Sequence, residues 1–298
     1  MSGLSMLKDQ PLTMTAFLLQ RQVSNPLLRN ALSGCVAGLR PRAAPRDPSR
    51  EANGARSELA REGVCLLPTL VGSGRAGDMK RYFENFQVRD PYNPSLGVFS
   101  PAAAGPQTHV AFFDHATVLH APHALAIAND GVVLDAVSAA LGAKPKITYM
   151  AAWWSIPHPG EPRQAENFHR DVDDWRFIKL FVYLTDVDES SGPHSFVRGS
   201  HLSPALRRIQ RYSDSAVDEA FGTERTVVFT GPAGSSILEN TYGLHRGTPP
   251  RSRLRLMFQV VYGLSRMPYG PARPICDRSE IAGGEGLDPY INGVYLRR

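Results

Sequence analysis

Three polar side chains in the second half of the chain have the residue types and the spacing of a metal site. His169 and Asp171 form a His-x-Asp pair, and His245 lies in a separate segment much further along. On a strand, residues i and i+2 point to the same face, so the imidazole and the carboxylate of the pair can converge on one ion. Two histidines and one carboxylate make the facial triad that binds non-haem iron(II) and leaves positions open for a bidentate co-substrate and O₂.

A His-x-Asp pair alone is a weak signal, because the same two residues also occur together in surface turns and in hydrogen-bonded core pairs. Here the order of the neighbouring segments supports a metal site. The pair precedes a strongly apolar segment, 176–185, and His245 follows another short apolar segment, 235–239, after a brief turn. An arginine on the last predicted strand then follows His245 at short range.

The elements that would position these residues are short strands that begin at Lys146. Apolar segments alternate there with turns rich in Pro, Gly and Ser. We predict strands at 146–154, 164–169, 176–185, 194–198, 225–230, 235–239 and 254–262. We predict helices ahead of them: one or two within 1–40, and others at 57–63, 75–86 and 124–141. Helices in front and a run of short strands behind favour a mainly β fold with flanking helices, either a sandwich or a barrel.

Two segments resemble a known family. Asn167–His201 (NFHRDVDDWRFIKLFVYLTDVDESSGPHSFVRGSH) resembles the central block of phytanoyl-CoA dioxygenase-like enzymes: a metal-binding His-x-Asp, a strand ending in a YLxDVD-like sequence, a Gly-Pro turn and a Gly-Ser-His close. Leu244–Tyr262 (LHRGTPPRSRLRLMFQVVY) is similar to the distal-histidine segment of that family. The resemblance covers residues 146–263 and extends weakly to the helix–strand unit at 57–67.

The resemblance implies a double-stranded β-helix, which is a jelly-roll, cupin-like barrel, and it implies residue roles. The His-x-Asp pair and the distal histidine match the iron ligands. Arg255 matches the arginine that pairs with the distal carboxylate of 2-oxoglutarate, and its distance from the distal histidine fits better than that of Arg253. Trp175 matches an aromatic residue that lines the pocket in some members. Lys179 matches a polar position that can assist the co-substrate, although a lysine that simply reaches solvent is an equal alternative.

The same resemblance implies a reaction with Fe(II), 2-oxoglutarate and O₂. Succinate and CO₂ would be released while an unactivated C–H of a small organic molecule is oxidised, by default through hydroxylation. Desaturation, epoxidation or ring formation would need only a different substrate pose. Halogenating relatives lack the carboxylate ligand so that chloride can bind iron, so the presence of Asp171 disfavours halogenation.

Two other function classes fit parts of the pattern. A cupin-like metal-dependent hydrolase or isomerase could hold zinc and an activated water with two histidines and an aspartate. Such an enzyme has no need for a dedicated carboxylate partner such as Arg255. A non-catalytic ligand-binding barrel is the third alternative, and it gains nothing from three convergent metal ligands.

Composition limits the partners. The chain has 298 residues, a net charge of +5 and an isoelectric point of about 9.2. Its arginines are spread out, with small groups at 207–211 and 251–255. This pattern is compatible with a small-molecule substrate that is anionic or linked to a carrier or to CoA. No basic helix with interleaved aromatic residues is present, so we expect no nucleic-acid partner. The oligomeric state stays open.

The cysteines and the apolar segments indicate in which cellular compartment the protein is located. The three cysteines are scattered and odd in number, which fits reduced thiols rather than a disulfide framework or a CxxC metal site. No apolar run reaches the roughly 18 residues of a membrane span, and the N-terminus has no secretory leader. We therefore expect a cytoplasmic protein.

We predict three regions along the chain. Residues 1–56 form a helical extension and a linker, because 41–56 is rich in Pro, Arg and Ala. Residues 57–264 form the double-stranded β-helix with its helical decoration, and 265–298 form a tail that packs on it. Within the middle region, 90–108 is a long loop rich in Pro, Gly and Ser, which is typical of a lid over an active site.

Four further residues are left with open roles. Trp153 and Trp154 are adjacent on a predicted strand, so one faces the core and the other the cavity, but parity alone does not say which. His194 follows the Gly-Pro turn and faces either the cavity or solvent. His201 ends the Gly-Ser-His close and is expected to make structural hydrogen bonds.

Overall fold

A computed structural model describes residues 10–23, 25–43, 47 and 49–297 of the chain. Its strands form a six-stranded sheet, a three-stranded sheet and a two-stranded pair. The strands are β1 (Val64–Leu66), β2 (Val110–Phe112), β3 (Lys146–Ser155), β4 (Phe177–Tyr183), β5 (His194–Val197), β6 (Thr226–Phe229), β7 (Ser236–Glu239), β8 (His245–Gly247), β9 (Arg255–Gly263), β10 (Cys276–Asp277) and β11 (Leu296–Arg297).

The large sheet has the strand order β1-β7-β4-β9-β3-β2, and the small sheet has the order β6-β5-β8. The pairings within both sheets are antiparallel. The central strand β9 pairs along its length with β3 on one side and β4 on the other. Residues from both sheets meet in one apolar cluster, where Phe181 and Met257 of the large sheet join Phe196 and Phe229 of the small one. The two sheets therefore face each other as a double-stranded β-helix, as predicted.

Alternation along the strands separates the interior of this barrel from a second core, the outer core, which lies between the large sheet and the helices. On β9, Met257 faces the small sheet, whereas Leu256, Phe258 and Val260 pack beneath the helices. Every residue of β4 and β9 is buried, because each strand is covered on both faces. Arg255 is two residues from Met257 on β9, so both side chains point to the same face and can line the barrel interior.

Most of the helices pack against the outer face of the large sheet, and helices make up more of the chain than strands do, 36% against 21%. They are α1 (Pro11–Gln22), α2 (Pro26–Gly38), α3 (Arg50–Glu62), α4 (Ser73–Phe83), α5 (His115–Leu119), α6 (Ala124–Ala128), α7 (Gly131–Leu141), α8 (Asp214–Phe221) and α9 (Pro289–Asn292). Helices α3 and α7 pack against each other. Buried Leu59 and Val137, one from each helix, belong to the outer core.

Two helix predictions were wrong in their bounds. Helix α3 begins at Arg50 rather than at residue 57, because the Ser49 side chain accepts a hydrogen bond from Ala52 N and caps the helix. The second half of the predicted linker 41–56 is thus helical, and a boundary at residue 57 would fall inside α3. The predicted helix 124–141 is divided in two, since Asp130 caps the N-terminus of α7 with its carboxylate.

One strand prediction was also wrong. Residues 164–169 contain a short 3-10 helix, Gln164–Glu166, and then only isolated bridges at Phe168 and His169. The predicted loop 90–108 contains two short 3-10 turns, Pro94–Leu96 and Pro101–Ala103, and leads into edge strand β2.

The tail returns to the barrel. Strands β10 and β11 form a parallel pair. The hydroxyl of buried Tyr295, just before β11, accepts a hydrogen bond from Met150 N on β3 at 2.5 Å. Among the described residues, no helix is both long and apolar enough to cross a membrane.

Candidate active site

The three residues of the predicted triad converge. His169, Asp171 and His245 each offer one ligand atom, and these atoms all lie within 4.8 Å of one another. The Asp171 carboxylate lies 3.6 Å from His169 Nε2 through one oxygen and 3.2 Å from His245 Nε2 through the other. Two imidazoles and one carboxylate at this spacing fit a divalent transition metal and leave the opposite side open.

Backbone carbonyls orient both histidines. Nδ1 of His169 bonds to Asn167 O at 2.9 Å, and Nδ1 of His245 bonds to Gly243 O at 3.0 Å. These contacts place the proton on Nδ1 and leave the Nε2 lone pair for a metal, as partners of metal-bound histidines commonly do. The backbones of the two histidines also pair with each other through two hydrogen bonds of 3.0 Å.

Asp171 reaches the site from irregular backbone and not from a strand. Its amide donates to Thr241 O at 2.9 Å, and the residues that follow lie in bends up to β4. The predicted convergence is therefore present, but the strand parity used to predict it is not the cause. A tertiary contact with the 241–245 turn brings the two ligand segments together.

Lys179 on β4 is buried and bonds to the ligand carboxylate. Its Nζ lies 2.6 Å from Asp171 Oδ2 and 2.7 Å from Asp173 Oδ2. It is only 8% exposed, so the alternative of a lysine that reaches solvent is excluded. In this arrangement Lys179 positions Asp171 and balances two neighbouring carboxylates.

The charges of these groups depend on one another. Burial opposes ionisation of Asp171, but Lys179 and His245 outweigh it, so the pKa of Asp171 lies well below its usual range. Burial and the nearby His245 lower the pKa of His169 to about 3. Burial also opposes a charge on His245, yet Asp171 raises the pKa of His245 above its ordinary value. These shifts favour an ionised Asp171 and a neutral His169.

Arg255 supplies a second feature of the interior. It is 4% exposed, and its Nη2 donates to Ser155 Oγ at 2.9 Å. Its Nε and Nη1 are buried and have no hydrogen-bond partner among the described residues. Gly247 lies beside it, since a Cβ there would be 3.1 Å from Nη2. Unpaired buried donors on a cation are costly, so this guanidinium fits an anionic partner such as the distal carboxylate of 2-oxoglutarate.

A family model now decides the assignment. The model for "Phytanoyl-CoA dioxygenase (PhyH)" matches residues 60–254, which is more than half of the chain. The chain belongs to this family. It is accordingly an Fe(II)/2-oxoglutarate-dependent oxygenase, as the sequence resemblance implied. A search among curated proteins found no match.

Solved structures give the same fold at low identity. EctD from S. alaskensis with 2-oxoglutarate and 5-hydroxyectoine is 19% identical, with a TM-score of 0.52, over 87% of this chain and 92% of that one. The carbocyclase SnoK from nogalamycin biosynthesis is 17% identical with a TM-score of 0.52, over 72% and 86% of the two chains. The epimerase SnoN, in complex with Fe³⁺, α-ketoglutarate and nogalamycin RO, is also 17% identical, with a TM-score of 0.50 over 72% and 84%.

Trp175 is the predicted site residue that this PhyH-family structure does not bring to the triad. Its ring packs against the outer core, with the guanidinium of Arg29 5.6 Å from the ring centre. Its role in lining the pocket stays a prediction. The tryptophan pair on β3 is resolved: Trp154 belongs to the outer core, whereas Trp153 packs against the interior cluster.

The sequence did not reveal a buried pair beside His245. His194 is 4% exposed, and its Nε2 lies 2.8 Å from Glu239 Oε2. The rings of His194 and His245 are 5.8 Å apart. Glu239 is fully buried on β7, and its Oε1 has no partner within the described ranges. The sequence did not decide whether His194 faces the cavity or solvent. Its burial places it inside the barrel. The other open residue, His201, bonds to Ala60 O, as expected of a structural role.

A second group that the sequence did not indicate lies next to β8. His158 bonds to Glu166 at 3.0 Å, and both side chains are buried. His109 lies 5.6 Å from His158 and 5.0 Å from Tyr92, measured between ring centres. Burial lowers the pKa of His109. The group joins the long 90–108 segment, through Tyr92, to the residues that precede the His-x-Asp pair.

A surface cavity lies elsewhere. It measures about 350 Å³ and is lined by Asn85, Phe86, Gln87, Arg89, Val98, Phe112, Asp114 and Thr117. None of these residues belongs to the triad or touches Arg255. We place the chemistry at the triad, because three metal ligands and an unpaired buried cation in one barrel are more specific than an open groove.

Proposed function

We propose that His169, Asp171 and His245 hold Fe(II) and that Arg255 binds the distal carboxylate of 2-oxoglutarate. The protein then oxidises an unactivated C–H of a small organic molecule, by default through hydroxylation. The observation that carries this proposal is the buried Arg255 guanidinium, two of whose nitrogens lack a partner, in the same barrel as the converged triad.

When bound, the iron would supply the activation of O₂ and the oxidation of the substrate, coupled to decarboxylation of 2-oxoglutarate. The residues of the chain position the reactants. The carbonyls at Asn167 and Gly243 fix the imidazoles, and Lys179 fixes the carboxylate. Arg255 orients the co-substrate from its far end, and the apolar interior around Phe181 and Met257 excludes water.

A zinc hydrolase fits this site less well. A zinc hydrolase needs the metal ligands and a bound water. It does not need a buried cationic side chain whose hydrogen-bond donors are unpaired. A buried arginine without a ligand would carry a desolvation cost that a hydrolase has no reason to retain. A ligand-binding barrel without catalysis fits less well again, since it leaves the oriented Nε2 atoms without a role.

An anionic substrate, free or linked to a carrier or CoA, fits the surface near the triad. Arg207, Arg208 and Arg211 are exposed, and they form no ion pair within the part of the chain that the structure describes. The buried Arg170 holds this loop by donating to Ala205 O and Leu206 O, and Tyr212 N bonds to Phe168 O next to His169. The arginines thus lie on a loop tied to the ligand segment. The expectation of no nucleic-acid partner and the cytoplasmic localisation both stay predictions.

The test is a screen for succinate release from 2-oxoglutarate, run with Fe(II) and candidate substrates in matched anionic and neutralised forms. We expect release to increase with an anionic substrate, and the product to gain one oxygen atom. A product that gains no oxygen would indicate desaturation, ring formation or epimerisation instead of hydroxylation. Equal stimulation by neutralised substrates would contradict the role of the arginine loop.

A further inference from the structure

The N-terminal helix pair, α1 with α2, lies outside the region that the family model matches, which begins at residue 60. The pair nevertheless packs against the active site. Several of its contacts reach the ligand loop, residues 171–175, which carries Asp171 in irregular backbone between His169 and β4.

Three side chains of the pair bond to backbone carbonyls of the ligand loop. Gln20 Nε2 donates to Val172 O at 2.8 Å, and Arg21 Nη1 donates to the same oxygen at 3.1 Å. Arg29 Nη2 donates to Asp174 O at 2.6 Å. No other described group donates to these two carbonyls. The helix pair thus supplies the hydrogen bonds that a neighbouring strand would supply to a regular element.

Arg29 also reaches the other ligand segment. Its guanidinium lies 5.6 Å from the ring centre of Trp175, in the ligand loop, and 5.4 Å from that of Tyr242. Tyr242 directly precedes Gly243, whose carbonyl orients His245. One buried side chain, 6% exposed, therefore contacts the segments that carry two of the three ligands.

A network within the helix pair fixes these donors. Arg29 Nη1 donates to Gln20 O, and its Nη2 donates to Gln20 Oε1, both at 2.8 Å. The amide oxygen of Gln20 is thereby occupied, which turns its Nε2 towards Val172. A planar guanidinium can serve Gln20 and Asp174 together, and the point charge of a lysine cannot copy that geometry.

We propose that Arg29 is a positioning residue for the metal site and that the N-terminal helix pair is a structural part of the active site. Arg29 holds the ligand loop against the 241–245 turn, so that Asp171 and His245 stay at metal-binding distance. Partners outside the ligand shell that orient the ligands commonly change metal affinity by about 10- to 100-fold. The inference rests on the proposed function, because it requires the triad to bind a metal.

The experiment measures the Kd for Mn(II), a redox-stable probe, by electron paramagnetic resonance of the free ion. We compare the parent protein with Arg29→Met, which keeps an apolar stem and removes the donors. The expected result is a Kd raised about 10- to 100-fold, with a smaller rise for Arg29→Lys. The control is Arg42→Gln, which removes one exposed positive charge close in sequence to the pair and should leave the Kd unchanged.

Circular dichroism at the titration temperature shows whether each variant is folded. A loss of packing alone would lower the stability of the protein, but it would not change the Kd of the folded form for Mn(II). If Arg29→Met does not fold, Gln20→Leu, which removes one donor to Val172 O, carries the test with the same direction of change. A parental Kd in a folded Arg29 or Gln20 variant would overturn the proposal. No Mn(II) binding by the parent protein would instead contradict the proposed function.

Discussion

Burial separates two arginines that alternation alone leaves equivalent. Arg253 and Arg255 have the same strand parity, and the sequence separated them through their distance from the distal histidine and through the leucines that flank Arg255. In the structure, Arg253 has a side chain 67% exposed and pairs with Asp188 at the surface, whereas Arg255 is inside the barrel. Strand β9 begins at Arg255, so Arg253 lies before the barrel wall.

The first prediction follows from this difference. Arg255→Lys should raise the KM for 2-oxoglutarate about 30- to 150-fold, because a lysine loses a charge-assisted bidentate contact of about 2–3 kcal/mol. Arg253→Lys, the matched control on the same segment, should change the KM little, since an exposed ion pair contributes little. Steady-state kinetics with varied 2-oxoglutarate measure both. The opposite pattern would mean that the anchor is misassigned.

The second prediction concerns pH. Asp171 raises the pKa of His245 against the effect of burial, so a proton competes with a metal for His245 below that raised pKa. As the pH falls through that raised pKa, the proton competes and the affinity for Mn(II) should decrease; above it, the affinity should level off. Titrations across about pH 6 to 8 test this. A Kd that does not vary with pH would show that His245 is already neutral in the metal-free protein.

At the scale of elements, periodicity predicted the regular strands well and the ligand segment poorly. Strands β3, β4 and β9 lie within a residue or two of their predicted bounds, because each is mostly apolar and largely buried. The segment with His169 and Asp171 is held by hydrogen bonds to residues 241–245, which no local pattern reveals. The start of α3 was missed for a local reason, since the Ser49 cap lies within a Pro- and Arg-rich stretch.

The third prediction tests the junction between α3 and β1. Gly63 ends α3 with a φ of 82°, and a Cβ there would lie 2.4 Å from His201 Nδ1 and 2.9 Å from Phe196 Cζ. Gly63→Ala should lower the free energy of unfolding by about 2 kcal/mol or more, from strain and steric overlap. Gly54→Ala, in the exposed interior of the same helix with nothing within 4 Å, should raise it by about 0.5–1 kcal/mol.

Urea unfolding of the two glycine variants and the parent protein gives the comparison. The two substitutions add the same methyl group, one within α3 and one directly after it, so opposite shifts of the midpoint show that the local conformation and packing at Gly63 decide the effect. If Gly63→Ala were as stable as the parent, the turn that connects α3 to the barrel would not have the described geometry.

For the whole molecule, the sequence predicted the barrel and the three residues that converge in it, but not what holds those residues in place. The N-terminal helix pair binds to the backbone carbonyls of Val172 and Asp174. Every residue has such a carbonyl, so the sequence does not show which ones accept these hydrogen bonds. The buried His194–Glu239 pair depends on β5 and β7 facing each other across the barrel. Both features follow from tertiary structure, so only the assembled fold shows them.

The central claim is that the converged triad and Arg255 make one oxygenase site. Its most direct test is the release of labelled CO₂ from 2-oxoglutarate labelled at C1, by protein loaded with Fe(II) in the presence of O₂. We expect slow release without any added substrate, and loss of that release in Asp171→Ala, which removes the only carboxylate of the metal-ligand group found among the described residues. Unchanged release in Asp171→Ala, or full turnover of a substrate with Zn(II) and no 2-oxoglutarate, would contradict it.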